Sequence, residues 1–397
     1  MVPTVLQQIR VNGKTPHLPP KYKILEEKTM KKHNLIKKVL SAALSLSLAL
    51  SLAACSSGSN SGASKSSTAA SSGSAASASA EDTKEYKVGI VKFMDHASLD
   101  QIEKKIQEQL DAKSAELGVN FDYADYTYNG QGDSTTLSQI AAQLVADQVD
   151  VVVPIATPAA QVMQSVVTDE GIPIIFAAVS DPVTAKLVDS LEVPGGSITG
   201  VSDALNTNMI MDMMVAVNPD IQKVGLLYSK SEDSSKKPIE EAKAYLDAHN
   251  ISYVEKTGTN TDEVNSAVDA LIGEKVEAIF TPTDNTVMSA ELSIFEKLND
   301  AKIPHYTGAN SFALNGAFFG YGVDYDDLGA ETANMVVDLL VNGADPATTP
   351  VVILAHEAAT INTETCEAIG LNLDDIKAAF GTLGIGVVEI TTAKNFS

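Results

Sequence analysis

Tryptophan is absent from this 397-residue chain, arginine occurs only at Arg10, and cysteine only at Cys55 and Cys366. Each shortage removes a class of chemistry. Two cysteines cannot staple a small domain, so the fold must rest on large apolar cores. Without arginine beyond residue 10, a bound carboxylate must be held by hydroxyls, amides and backbone N–H groups, not by a bidentate guanidinium. Aromatic residues make up only 5%, which leaves little to line a stacking platform. Histidine after Cys55 is limited to His96, His249, His305 and His356, dispersed along the chain, so no metal site is expected. Positive charge is scarce as well. Residues 1–55 hold nine of the 28 Lys and Arg and two of the 51 Asp and Glu, leaving 19 basic against 49 acidic residues beyond them. That balance offers phosphate no basic face and excludes nucleic acid as a partner. It also argues against docking on anionic lipid through the protein surface. The acids are dispersed and read as a solubilising surface.

What is present begins with Met30-Lys31-Lys32-His33-Asn34-Leu35-Ile36-Lys37-Lys38, an apolar run over 39–52, and Leu52-Ala53-Ala54-Cys55. A basic start, a short apolar middle and small residues before a cut site make an export signal. The run has 14 residues, short of the roughly 20 that span a bilayer. Cys55 directly after Leu52-Ala53-Ala54 resembles the lipobox of bacterial lipoproteins, in which the cysteine is acylated and becomes the new N-terminus. A buried cysteine closing a core helix is the alternative, and the Ser/Gly-rich sequence that follows argues against it. Residues 30–54 are therefore expected to be a lipoprotein signal peptide. Residues 1–29 read as an over-extended frame with Met30 as the true start. Residues 55–82 read as a lipid-anchored tether, since 56–80 are almost wholly Ser, Ala and Gly and too poor in apolar groups to order. Such a chain spans roughly 25–30 Å. The protein is expected on the outer face of a bacterial cytoplasmic membrane, or in the periplasm where an outer membrane exists.

From residue 86 strand-like and helix-like stretches alternate. Strands are expected at 86–92, 120–126, 149–155, 173–177, 223–228, 252–255, 278–281, 305–307 and 317–321. Val151-Val152-Val153 and its neighbours form a continuous apolar run, as in parallel strands buried on both faces. Leu99, Ile102, Ile106 and Leu110 recur at helical spacing, as do Leu137, Ile140 and Leu144. Alternation on this scale means an α/β fold with open parallel sheets. The pattern occurs twice, over 86–202 and 207–307, each half opening on a Gly-led strand (Gly89-Ile90-Val91 and Gly225-Leu226-Leu227). Two similar lobes imply a cleft, and the loops after each strand should face it. The expected lobes are 83–204 plus 316–345, and 205–315 plus 346–397.

Those loops are polar. They carry His96, Thr157, Gln161, Ser180 and Asp181, with Ser202 and Asp203 after them. In the second half they carry Glu232, Ser234, Asp284, Asn285 and Asn310, and Asp324 follows. Hydroxyls, amides and helix N-terminal N–H groups suit a carboxylate, expected at Thr157, Ser180 and the loop 231–235, and an isolated acid suits an ammonium, expected at Asp284 with Asp181 or Asp203 as the competing choices. Ordinary helix capping is the competing explanation for each loop taken singly.

The segments Pro173-Ile174-Ile175-Phe176 to Pro182, Pro194-Gly195-Gly196-Ser197 to Asp203, Tyr321-Gly322-Val323-Asp324 to Gly329 and Ile361-Asn362 to Asn372 resemble the ABC-transporter substrate-binding lipoproteins of the tryptophan/tyrosine-type group. The resemblance covers about 86–376. It implies a type I periplasmic-binding-protein fold with crossovers near 203–207, 310–316 and 343–349. It further implies a monomer that captures a free amino acid and hands it to a permease with its ATPase, without a cofactor. The loop 231–235 and the tail 381–397 depart from the group's pattern.

Catalytic constellations are missing. Gly320-Tyr321-Gly322 has no third glycine for a dinucleotide fingerprint, there is no nucleophile elbow, and His356-Glu357 has no second histidine. An enzyme is not expected. A ligand sensor presenting its closed form to a receptor is the alternative role, which neighbouring genes would separate from transport. The anchor is open to direct test. Cys55→Ser should abolish incorporation of labelled fatty acid and release the protein or leave it unprocessed. Label still incorporated in that variant would refute the assignment.

Overall fold

The structure, a computed structural model, describes residues 83–355 and 358–395; the expected signal, Cys55 and tether lie outside them. Strand β1 (Glu85–Lys92) leads into α1 (Ala97–Leu117), whose Leu99, Ile102, Ile106 and Leu110 form one buried stripe. Gly118 closes α1 at φ 68°, a left-handed cap suited to glycine. β2 (Asn120–Asp122) and β3 (Thr127–Asn129) follow, separated by a single 3₁₀ turn. Then come α2 (Ser134–Asp147), β4 (Val151–Ile155), α3 (Thr157–Val167), β5 (Ile174–Ala177) and β6 (Ile198–Ser202). Every residue of β4 is buried, as the apolar run required.

The second half runs α4 (Thr207–Val217), β7 (Lys223–Tyr228), α5 (Asp233–Ala248), β8 (Ser252–Thr257), α6 (Thr261–Gly273), β9 (Ala278–Thr281), α7 (Asn285–Ala301), β10 (His305–Thr307), α8 (Asn310–Leu314) and β11 (Phe319–Gly320). It is followed by α9 (Tyr325–Leu340), β12 (Val352–Ile353), β13 (Ala358–Asn362), α10 (Thr363–Ala368), α11 (Leu373–Thr382) and β14 (Gly386–Ile390). Two sheets result. The first orders β12-β6-β5-β4-β1-β2 with β3 also on β1, all parallel. The second orders β14-β13-β11-β10-β9-β7-β8 and is parallel except where β11 meets β13. Two α/β lobes with open parallel sheets are thus what the chain forms.

The first crossover falls at 203–207 as expected, and the second and third differ from the expected ones. Phe319-Gly320 pairs beside β10 in the second sheet, so 316–320 belong there and not to the first lobe. Phe318 and Phe319 are buried against Tyr306, which is where two adjacent aromatics lose most surface. Val352-Ile353 pairs with β6 in the first sheet. The segment before it is tied to the first lobe by Thr199 Oγ1 donating to Thr349 O at 2.8 Å and by Gly195 N donating to Ala347 O at 3.0 Å. The chain therefore passes between lobes after Ser202, between Gly320 and Tyr325, and between Ile353 and Ala358. The sequence pattern does not show strands β3, β6, β12, β13 and β14, because Thr, Gly and short length interrupt their apolar signal.

Gly200 shows how tight the first sheet is at the crossover. A Cβ there would lie 2.1 Å from the Phe176 carbonyl oxygen, a backbone atom that cannot move aside. Gly200→Ala should cost about 2–3 kcal/mol, as over-packing against a fixed wall does. A urea midpoint lowered at unchanged slope checks this, and an unchanged midpoint would count against it.

Candidate functional site

The segments that follow seven parallel strands, β1, β4, β5, β6, β7, β9 and β10, line one cavity between the lobes. From the first lobe, His96 and Ser98 follow β1, Thr157 follows β4, Ser180 follows β5 and Asp203 follows β6. The second lobe contributes Ser234 from α5, Thr283, Asp284 and Asn285 around the start of α7, and Phe312 from α8. Tyr325 sits at the second crossover. Apolar walls come from Leu99, Met288 and Phe312.

The lobes meet across this cavity. His96 Nε2 lies 3.0 Å from Asn285 Oδ1, Ser180 Oγ lies 2.9 Å from Thr283 Oγ1, and Ser98 Oγ bonds Ser311 Oγ. At the rim Gln161 Nε2 donates to Asp233 Oδ2 at 2.8 Å, and Lys237 pairs with Asp181 at 3.4 Å. The lobes are closed, with about 20 Å³ left between them, near the room one water needs. A solute can enter only by separating these pairs.

Three acids meet different fates. Asp284 caps α7, its Oδ1 accepting from Val287 N at 2.9 Å, while its Oδ2 accepts from Ser229 N at 2.6 Å and Ser235 Oγ at 2.7 Å. Glu232 reaches the same helix end. Its Oε2 accepts from Asn285 N and Nδ2, and its Oε1 accepts from Thr286 N and Oγ1, at 2.7–3.0 Å. Burial raises both carboxyls, and the neighbouring Asp284 helps push Glu232 to about 7. Asp203 is the exception. It is buried, accepts from Ser180 Oγ at 2.8 Å, and has Tyr325 Oη at 3.5 Å. No cation pairs with it among the described residues. Burial lifts it to about 6 in spite of these bonds.

Two further polar atoms of the cavity are buried without a partner among the described residues: His96 Nδ1 and Thr157 Oγ1. Buried polar groups are as a rule hydrogen-bonded, so a ligand is the natural partner for both. Thr157 opens α3, whose first turn has unpaired N–H groups. Ala156 before it holds φ 84°, a strained value for alanine that aims this turn at the cleft.

Of the residues singled out from sequence, His96, Thr157, Ser180, Asp203, Ser234, Asp284 and Asn285 line the cavity. The others do not. Glu232 is saturated behind Asn285, and Gln161 and Asp181 serve the rim. Asp181 also caps its own loop through Thr184 N at 3.0 Å. Ser202 bonds Ala204 N and Ser180 O. Asp324 caps α9 by accepting from Asp326 N and Asp327 N, and with Asn310 it lines a separate hollow beside the crossovers. Tyr325, Thr283, Phe312 and Met288 were missed. Phe312 and Met288 look like core in sequence, and only loop convergence distinguishes them.

Comparison with known proteins agrees with this architecture. A model of the ABC transporter substrate binding protein family matches residues 87–379. A tyrosine-binding protein from Clostridioides difficile is 33% identical over 300 residues, covering 75% of this chain and 85% of that protein. An ABC domain from Streptococcus pneumonia in complex with L-Trp is 34% identical at TM-score 0.69, covering 77% of this chain and 100% of that one. A ligand-free, open substrate binding protein with adhesive properties from Clostridium difficile is 29% identical at TM-score 0.58, covering 77% of this chain and 99% of that one. On this match and on its own two-lobed geometry, the chain belongs to the ABC transporter substrate binding protein family.

Proposed function

We propose that the protein captures a free amino acid with a large, aromatic side chain and delivers it to a membrane permease driven by an ATPase. The observation that carries this reading is Asp203, a buried carboxylate with no cationic partner at the first crossover. An α-ammonium supplies the missing charge. The carboxylate of the same ligand is held by the Thr157 hydroxyl and the first turn of α3, consistent with a chain that has no arginine to offer there. The side chain lies against Leu99, Met288 and Phe312. The relatives that bind tyrosine or contain L-Trp support an aromatic side chain.

Binding and motion are linked through the same residues. A ligand that touches both lobes favours the closed form only through its differential contacts with the two states. Lipid at Cys55 keeps the domain near its permease, with 56–80 as the tether. The protein works outside the cytoplasm, on the outer face of the membrane or in a periplasm.

Asp203 makes the reading testable. Asp203→Asn leaves the ammonium without a counter-charge and should weaken binding by at least about 30-fold, the lower end of losing one partner of a desolvated pair. The sign of the pH effect follows from burial. Because Asp203 in the empty protein is raised from 3.8 to about 6, its contribution to stability is full below pH 3.8 and is lost as pH rises through 6. An ammonium removes that penalty. Affinity for L-tyrosine should therefore rise about tenfold per pH unit up to pH 6 and level off above it, and the Asn variant should lose this slope. Calorimetry across pH 4.5–8 reads both. Tight binding of a sugar or nucleoside with no response to any amino acid would overturn the ligand assignment.

A further inference from the structure

A chain of hydrogen bonds runs from the second lobe to a bare nitrogen in the cavity. Both carboxyl oxygens of Glu232 face donors: Asn285 N and Nδ2 on one, Thr286 N and Oγ1 on the other. This fixes the Asn285 amide, since Nδ2 must face the carboxylate at 2.7 Å and Oδ1 must face away. Oδ1 then accepts from His96 at 3.0 Å, so the proton of the imidazole sits on Nε2. Nδ1 is left with a lone pair. It is buried and has no partner, although part of the residue meets solvent.

We infer that His96 is a specificity residue whose Nδ1 accepts a hydrogen bond from a donor on the ligand's side chain, a phenolic O–H or an indole N–H. The inference rests on the amino-acid reading above and sharpens it. Position supports it. His96 follows β1 and Asp203 follows β6, three strands apart in the order β6-β5-β4-β1, which is about 14 Å between strand axes. An aromatic amino acid with one hydrogen bond at each end covers such a span, its ammonium on Asp203 and its ring donor at His96. Between them lie Leu99, Met288 and Phe312 to receive the ring. Burial also lowers the imidazole to about 4, so the acceptor persists through neutral and mildly acidic pH. Asn285 acts as the positioning residue: it touches His96 and not the ring donor.

L-Tyrosine, L-tryptophan and L-phenylalanine separate the possibilities, because the third matches the ring and lacks the donor. Calorimetry on the full chain should give tyrosine or tryptophan about 10- to 100-fold tighter binding than phenylalanine, the penalty for leaving a buried acceptor unpaired. His96→Leu should bring that ratio below about threefold (phenylalanine losing least). NMR of the ¹⁵N-histidine-labelled wild type reads the tautomer without any substitution. The expected result is Nε2–H in the empty protein, with the Nδ1 resonance moving on addition of tyrosine and not of phenylalanine. Equal affinities in the wild type, a ratio that survives His96→Leu, or an Nδ1–H tautomer would each overturn the inference while leaving amino-acid capture intact. Failure of all three amino acids to bind would overturn both.

Discussion

The N-terminus of helix Asn285–Ala301 is held by two buried carboxylates, and the wall of the cleft depends on that arrangement. Asp284 and Glu232 between them accept from Val287 N, Asn285 N and Thr286 N, the orphan donors that open every helix. Two like charges side by side in a dry site are costly alone. Here the helix end, two hydroxyls and the Asn285 amide compensate them. The same bonds set the positions of Thr283, Asn285 and Met288, and through Asn285 the orientation of His96 across the cleft. This helix terminus consequently serves the architecture of the site and is not itself open to a ligand carboxylate. In the first lobe, helix Thr157–Val167 plays the opposite part, with no side-chain cap and a strained Ala156 that leaves its first turn exposed to the cavity.

Scarcity of positive charge shapes the rest. A strongly acidic chain without arginine in its folded part has few ways to neutralise a buried acid. Lys92, for instance, is engaged by Asp95, Asp100 and Glu103, far from Asp203 in the bonding pattern. Among the described residues Asp203 has hydroxyl partners and no cation. It stands at the first crossover, and Tyr325 beside it stands at the second.

Closure itself is finely balanced. The pairs that join the lobes are mostly neutral: histidine to amide, hydroxyl to hydroxyl, amide to carboxylate at the rim. Each contributes about 1 kcal/mol net, and the Lys237–Asp181 pair, with an exposed lysine, adds little. A sum of this size can be exceeded by a ligand that offers an ammonium, a carboxylate and an aromatic ring at once.

Local pattern determined much of this protein. Residues 151–155 had to be a buried strand and 97–117 an amphipathic helix, because continuous and 3.6-period apolar patterns admit few other burial solutions. Repetition of the pattern determined two lobes, and the absence of arginine beyond residue 10 excluded a guanidinium clamp. Crossovers escaped the pattern, since Phe318-Phe319 and Val352-Ile353 are apolar runs too short to say which sheet they join. The roles of the acids were equally illegible. Asp181, Asp203, Asp284 and Glu232 are alike in sequence, each in a loop after or near a strand. Only the tertiary structure decided among them: one is a rim partner, two cap a helix, and one is left short of donors, because donors from loops far apart in the chain become neighbours only once the lobes have folded and closed.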